Sequence, residues 1–483
     1  MAAALGTGLS YHPPVVDDKR AGWRGWVGML QRAFLLVLLV FPLPAYAGPV
    51  HEYRLDNGLR ILVQEDHRAP VVVSQVWYKV GSGYEHGGTT GISHALEHMM
   101  FQGTARHPGG EFSRVIAANG GAENAFTGRD YTAYFQSLAK DRLPISFALE
   151  SDRMHNLSLK EGDFRKEIQV VMEERRLRTD DNPQALTYER FNAAAFVSSP
   201  YHHPIIGWMD DLKNLTVEDL RAWYSRWYAP NNATLVVVGD VDPEAVYRMA
   251  KRDFGPLKAG PALEIKPRHE LEQRGLRRVT VEAPAELPYV LMGYHVPVLR
   301  TTKDRSEVYA LEMLSGILDG GGGARLTRDL VRGAQVAASA SAGYNLYAHR
   351  DDLLVLQATP ARGHDAQELE RALRREIRRL RDQPVTQAEL DRVKAQVVAH
   401  RVFERDSVFY QAMQLGTVAT AGLDWRVLDE YVDRVRAVTP AQVQQVARKY
   451  LIPERLTVAV LKPLPIHGPR PPRTPAAGAA PVR

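Results

Sequence analysis

The feature that most limits how this chain can fold is an internal repeat. LTVEDLRAWYSRWYAPNNATLVVVGD starts at Leu215 and VTPAQVQQVARKYLIPERLTVAVLKP at Val438. At one constant offset, Thr216 aligns with Thr439, Pro230 with Pro453 and Thr234 with Thr457. Both copies follow one logic. A threonine N-cap has Asp219 or Gln442 three positions on, a capping box or a close variant of it. A helix follows, then a proline turn, then an apolar strand. Chance supplies one matched proline easily, but not the ordered set. With 483 residues, the chain is also too long for a single core. The expected fold class is α+β: two homologous domains, each a mixed or antiparallel sheet flanked by helices.

Local patterns place the boundaries. Tyr53, Leu55, Leu59, Ile61 and Val63 flank Asp56-Asn57-Gly58, a hairpin signal. Val71–Val80 reads as a strand and Gly91–Phe101 as a helix closed by Gly103. An N-terminal domain over 48–260 precedes a linker at 261–275, inside the polar, proline-containing stretch from Lys258 to Gly275. The C-terminal domain covers 276–462. The tail 463–483 is rich in Pro, Ala and Arg and is expected to be disordered.

The first 47 residues read as a signal peptide. Arg32 precedes the apolar run Ala33–Phe41, and Ala45-Tyr46-Ala47 forms an A-x-A cleavage pattern. Nine apolar residues are too few to span a bilayer comfortably. Export with cleavage after Ala47 implies a periplasmic protein; an uncleaved anchor is the alternative. The stretch before Arg32 is long for such a leader, so Met29 competes with Met1 as the start. The net charge of +5 is mild, and no dense basic run interleaves with aromatics, so nucleic acid is not an expected partner. The chain has no cysteine, which excludes disulfides, thiolate metal sites and cysteine nucleophiles.

The chemistry centres on His94-Ala95-Leu96-Glu97-His98. Residues four apart share a helix face, so His94 and His98 can hold one zinc ion. Glu97 shares that face and can take the proton of a water attacking a peptide carbonyl. Taken alone, an H-x-x-x-H pair on a helix is usually a solvated or core face. Catalytic zinc also needs a third ligand, and spacing alone does not choose it. The richest acidic cluster downstream lies on a helical stretch, where Glu167 and Glu174 are two turns apart on one face and Glu173 is turned away. One carboxylate on the metal and one behind it would make a sensible pair. His202 and His203 are adjacent on a stretch read as extended, so their side chains should point apart; they are read as structural.

H-x-x-E-H is the inverzincin order. On these residues the mature chain, about Val50 to Leu461, resembles the pitrilysin/insulinase family of zinc metallopeptidases, which includes processing peptidases and their bacterial relatives. The resemblance implies a zinc-dependent endopeptidase with one Zn2+ per chain. It selects Glu174 as third ligand beside His94 and His98, makes Glu97 the catalytic base and gives Glu167 a supporting catalytic role. It also makes Asn124, Ala125, Phe126 and Thr127 a substrate-binding edge strand that pairs with the peptide backbone.

One departure stands out. Family members use an Arg and a Tyr from the second domain or from a partner to grip the substrate. The matching positions in Leu330–Ala338 are Val331 and Ala338. Arg332 could serve through a one-residue shift, but nothing replaces the tyrosine hydroxyl. Losing such a donor typically lowers rate about a hundredfold or more. Two explanations compete: a weak or specialised enzyme, or, as the division of labour in processing peptidases implies, a heterodimer in which a homologous subunit supplies Arg and Tyr. The two domains should enclose a cavity, either between themselves or with the partner's pair. Gly320–Gly323 resembles the family's mobile glycine loops and reads equally well as a flexible connection. A non-catalytic scaffold or peptide-binding subunit is the alternative function.

Overall fold

The computed structural model describes residues 48–466. The Asp56-Asn57-Gly58 turn joins β1 (Val50–Arg54) to β2 (Arg60–Glu65), which pair antiparallel. Gly58 has φ +90°, and a Cβ there would come within 2.8 Å of Asn231, so the turn demands glycine. The first half continues with β3 (Val71–Tyr78), α1 (Ile92–Met99), α2 (Glu111–Ala118), β4 (Ala122–Thr127) and β5 (Thr132–Ala139). Then come α3 (Leu143–Asn156), α4 (Glu161–Arg175), α5 (Pro183–Ala195), α6 (Met209–Asn214), α7 (Val217–Trp227), β6 (Ala233–Gly239) and α8 (Pro243–Asp253). The second half holds β7 (Arg277–Pro284), β8 (Tyr289–Val296), α9 (Arg305–Leu318), β9 (Ala337–Gly343) and β10 (Asp352–Pro360). It ends with α10 (Ala366–Asp382), α11 (Gln387–Glu404), α12 (Val408–Thr420), α13 (Val427–Ala437), α14 (Pro440–Tyr450) and β11 (Leu456–Leu464).

The repeat is a repeat of topology. The strand orders are β1-β2-β6-β3-β5-β4 and β7-β11-β8-β10-β9. With β1 set aside, the two orders correspond strand for strand. In each sheet the pair β2/β6 or β7/β11 is parallel, and the others are antiparallel. The aligned threonines both close full capping boxes, Thr216 with Asp219 and Thr439 with Gln442. Two homologous α+β halves are therefore present.

The halves exchange helices. α12 packs on β3 and β6 of the first sheet, while α5 packs on β7 and β11 of the second. Alternation along the strands makes this possible. Leu62, Val73, Trp77 and Val236 face Ala412, Leu415 and Val418 in one core, whereas Ile61, Val63, Val72 and Val76 face Leu96, Met99 and Val171 in another. Phe191 and Ala195 cover Leu291, Leu353 and Ala459 on the far side of the second sheet. Glycine sets the approach in both directions. A Cβ on Gly416 of α12 would overlap the Trp77 indole, and one on Gly293 of β8 would come within 2.5 Å of Phe191.

Residues 261–275, read as the linker, carry no regular secondary structure but are tied down. The Glu270 carboxylate accepts from the amides of Val197, Ser198 and Ser199, and buried Gln273 donates to the Leu456 carbonyl at 2.8 Å. The end of the second half corrects the expected boundary at 462. Pro463 and Leu464, assigned to the disordered tail, pair with Ala283 and Pro284 of β7. β8 has already ended its pairing at Leu461, which leaves room for a strand proline. The signal segment with its cleavage site after Ala47, and the tail beyond Ile466, lie outside the described residues. No helix among the described residues is long and apolar enough to cross a membrane.

Candidate metal centre

α1 buries Ile92, Ala95, Leu96 and Met99, which leaves His94, Glu97 and His98 toward α4 and β4. Its own start offers no side-chain cap, because the N-cap is Gly91 at φ +86°. The cap comes from upstream: buried Glu85 accepts from the amides of Gly91 at 2.7 Å and Ser93 at 2.9 Å. α4 buries Phe164, Ile168, Val171 and Met172. Glu167 and Glu174 face α1, while Glu173 points outward to Arg176 at 2.8 Å.

Three donors converge. His94 Nε2 lies 3.8 Å and His98 Nε2 3.3 Å from the Glu174 carboxylate. All three donor atoms fall within 4.8 Å of one another, the one such group among the described residues. Tetrahedral zinc bound at its usual nitrogen and oxygen distances needs donors about 3.3–3.5 Å apart. The residues therefore fit a zinc ion with little movement. Glu167 lies 3.3 Å from His98 Nδ1 and accepts from Gln102 at 2.9 Å, an arrangement that fixes ring orientation and tautomer. His94 Nδ1 is buried with no hydrogen-bond partner among the described residues. The Arg178 guanidinium also contacts Glu174.

The electrostatics suit the donor set. Burial, with His98 nearby, lowers the His94 pKa to about 4, so the ring is neutral and can ligate. Burial works against charge on His98, but its bonds to Glu174 and Glu167 raise it overall. Burial pushes the Glu174 carboxyl up, and the histidines and Arg178 more than reverse this. Burial raises Glu97, partly offset by the Thr127 hydroxyl that donates to it.

Thr127 ends β4, the last strand of the first sheet. Among the described residues, one side of β4 therefore carries backbone groups with no strand beside them. Phe126 packs edge-on against Trp77, with ring centroids 5.3 Å apart, and the Asn124 side chain accepts from the Ala125 amide. The expected edge strand Asn124–Thr127 thus ends on a residue whose hydroxyl donates to Glu97.

Other expected residues lie elsewhere. His202 and His203 correct the extended reading: Pro200–His202 is a tight 3-10 turn, and the two rings meet at 4.1 Å. They are not part of the His/Glu group. Val331 packs against the large core, and Ala338 is exposed on the edge strand β9. Arg332 donates to the Gly322 carbonyl, so the glycine run is held in a turn. Sequence reasoning missed Gln102, Arg178 and Glu85. Gln102 and Arg178 each lie four residues beyond an expected ligand, a helical spacing that could have found them. Glu85 had no sequence signal.

Residues 60–207 match the family model described as Insulinase (Peptidase family M16), and residues 214–397 match the Peptidase M16 inactive domain. The zinc protease PqqE of Helicobacter pylori is 33% identical over 420 residues, covering 86% of this chain and 93% of that protein. The chain belongs to peptidase family M16. M16 architecture recurs in the crystal structure of a protease from Helicobacter pylori, with TM-score 0.82 and 32% identity over 86% of this chain and all of that one. The periplasmic protease PqqL of Escherichia coli shares the M16 fold with TM-score 0.71 and 20% identity, over 86% of this chain and 48% of that one. The M16 model described as inactive starts ahead of α7, so it takes in α7, β6 and α8 of the first half as well as most of the second half. Its residues contribute nothing to the His94, His98 and Glu174 group.

Proposed function

We propose that this chain is a zinc-dependent endopeptidase acting on extended peptides or unfolded polypeptides. The observation that carries this is the convergence of His94, His98 and Glu174 donors within 4.8 Å, with Glu97 beside them. One zinc per chain would be held by those three residues and would polarise a peptide carbonyl and acidify water. Glu167 holds the His98 ring through Nδ1. Glu97 accepts the proton of the attacking water and returns it to the leaving amine. Burial raises its carboxyl, which favours taking up that proton. The peptide lies along Asn124–Thr127 as an added strand, read through its backbone.

The second half has Val331 and Ala338 where a substrate-gripping Arg and Tyr are expected, which supports a heterodimer with a homologous subunit that supplies them. The A-x-A signal pattern supports a periplasmic location, as does a fold shared with a protease described as periplasmic. A non-catalytic subunit of the same family is the competing function, favoured by the same missing pair. Hydrolysis of a quenched unstructured peptide, with and without a chelator and with a homologous subunit co-expressed, separates the two. Zinc near one per chain and chelator-sensitive turnover support the enzyme. A chain that binds no zinc, or turnover that survives chelation, would sink it.

A further inference from the structure

The helices that carry the proposed ligands meet at a buried cation. Arg175 follows Glu174 and, turned about 100° from it around the helix, points into the protein. Only 3% of it is exposed. Its guanidinium donates to the two Glu189 carboxylate oxygens at 2.7 and 3.1 Å, and to the Gly207 carbonyl at 2.7 Å. Asp180 lies 3.4 Å away.

Each partner leads somewhere specific. Gly207 is pressed against the start of α1. A Cβ on Gly207 would fall 2.5 Å from the Thr90 carbonyl oxygen and 2.6 Å from Gly91 Cα. The next amide, Trp208, donates to Thr90 Oγ1 at 2.9 Å. Glu189 sits on α5, the helix that packs on β7 and β11 of the second sheet. One guanidinium therefore links the end of α4, the start of α1 and the packing between halves.

We infer that the buried Arg175–Glu189 pair is a positioning device: it sets the spacing between His94, His98 and Glu174 and ties that spacing to the docking of α5 on the second half. This rests on the proposed metal site. A planar fork held by two carboxylate oxygens and a carbonyl has one geometry, unlike a single point charge. A lysine at 175 keeps the charge but cannot hold Glu189 and Gly207 together.

The test measures zinc affinity of the full chain by competition with a chromogenic chelator, with circular dichroism and thermal melts alongside. Glu189→Gln and Arg175→Lys are expected to weaken zinc binding about 10- to 100-fold while the helical signal persists. The double variant Arg175→Met/Glu189→Leu buries no unpaired charge, so it folds even where Glu189→Gln does not. It is expected to recover melting temperature without recovering zinc affinity. Wild-type affinity in any folded variant that lacks the fork overturns the inference, as does a double variant that restores both. A wild-type chain that binds no zinc overturns the metal site, and this inference with it; the control arm keeps that failure distinct.

Discussion

Two helices stand at matching places in the two halves, α1 after β3 and α9 after β8, and serve different ends. Aligning Ala95-Leu96-Glu97 with Ala310-Leu311-Glu312 sets Tyr309 opposite His94 and Met313 opposite His98. In α1 the two histidines face a carboxylate on α4. In α9, Tyr309 and Met313 are 1% and 0% exposed in the large core. The central glutamate survives in both. Glu97 receives the Thr127 hydroxyl, and Glu312 receives the Tyr431 hydroxyl at 3.2 Å. Burial raises both carboxyls, Glu312 to about 7 with Glu404 nearby. The lesson is that this topology does not by itself make a metal centre. It supplies a helix face beside a second helix, and the side chains decide between ligation and packing.

The sharpest way to break this comparison is to neutralise both glutamates. Glu97→Gln is expected to lower peptide hydrolysis about 10²–10⁴-fold with zinc content unchanged, whereas Glu312→Gln leaves turnover at the wild-type level. Equal losses in steady-state assays would mean that the halves share the chemistry. Next, Met313→Ala should cost about 2–5 kcal/mol of stability in denaturant titrations and keep its zinc. His98→Ala should do the reverse, losing the metal and keeping the fold. The helix exchange gives a smaller effect. Gly416→Ala forces a methyl against Trp77 and should destabilise by about 1–3 kcal/mol, read from the same titrations.

Thr216→Ala and Thr439→Ala should each cost about 1 kcal/mol. A clear inequality between them would show that the aligned caps no longer do the same job. A further difference is in pH dependence. A carboxyl whose folded pKa is raised holds its proton when the unfolded chain has released it, so stability falls as pH rises from about 4.5 to about 7. Glu312→Gln should flatten that part of the stability profile; an unchanged slope would move its cause to another group.

By itself the sequence determined what short-range forces govern. The spacing of His94, Glu97 and His98, the capping boxes at Thr216 and Thr439, and the turn at Gly58 all follow from helical period, hydrogen bonds a few residues apart and permitted backbone angles. The repeat made two like halves legible. Only the tertiary structure decided which carboxylate meets the histidines. Glu173 and Glu174 are neighbours, and it is the burial of Val171 and Met172 that turns one toward α1 and the other to solvent. The exchange of α5 and α12, the cap from Glu85 and the Arg175–Glu189 link were also settled there. Each joins residues distant in the chain, and contact between distant residues depends on how whole faces pack, which no local pattern encodes. The same holds for α9, whose aligned glutamate alone could not reveal that Tyr309 and Met313 had gone to the core.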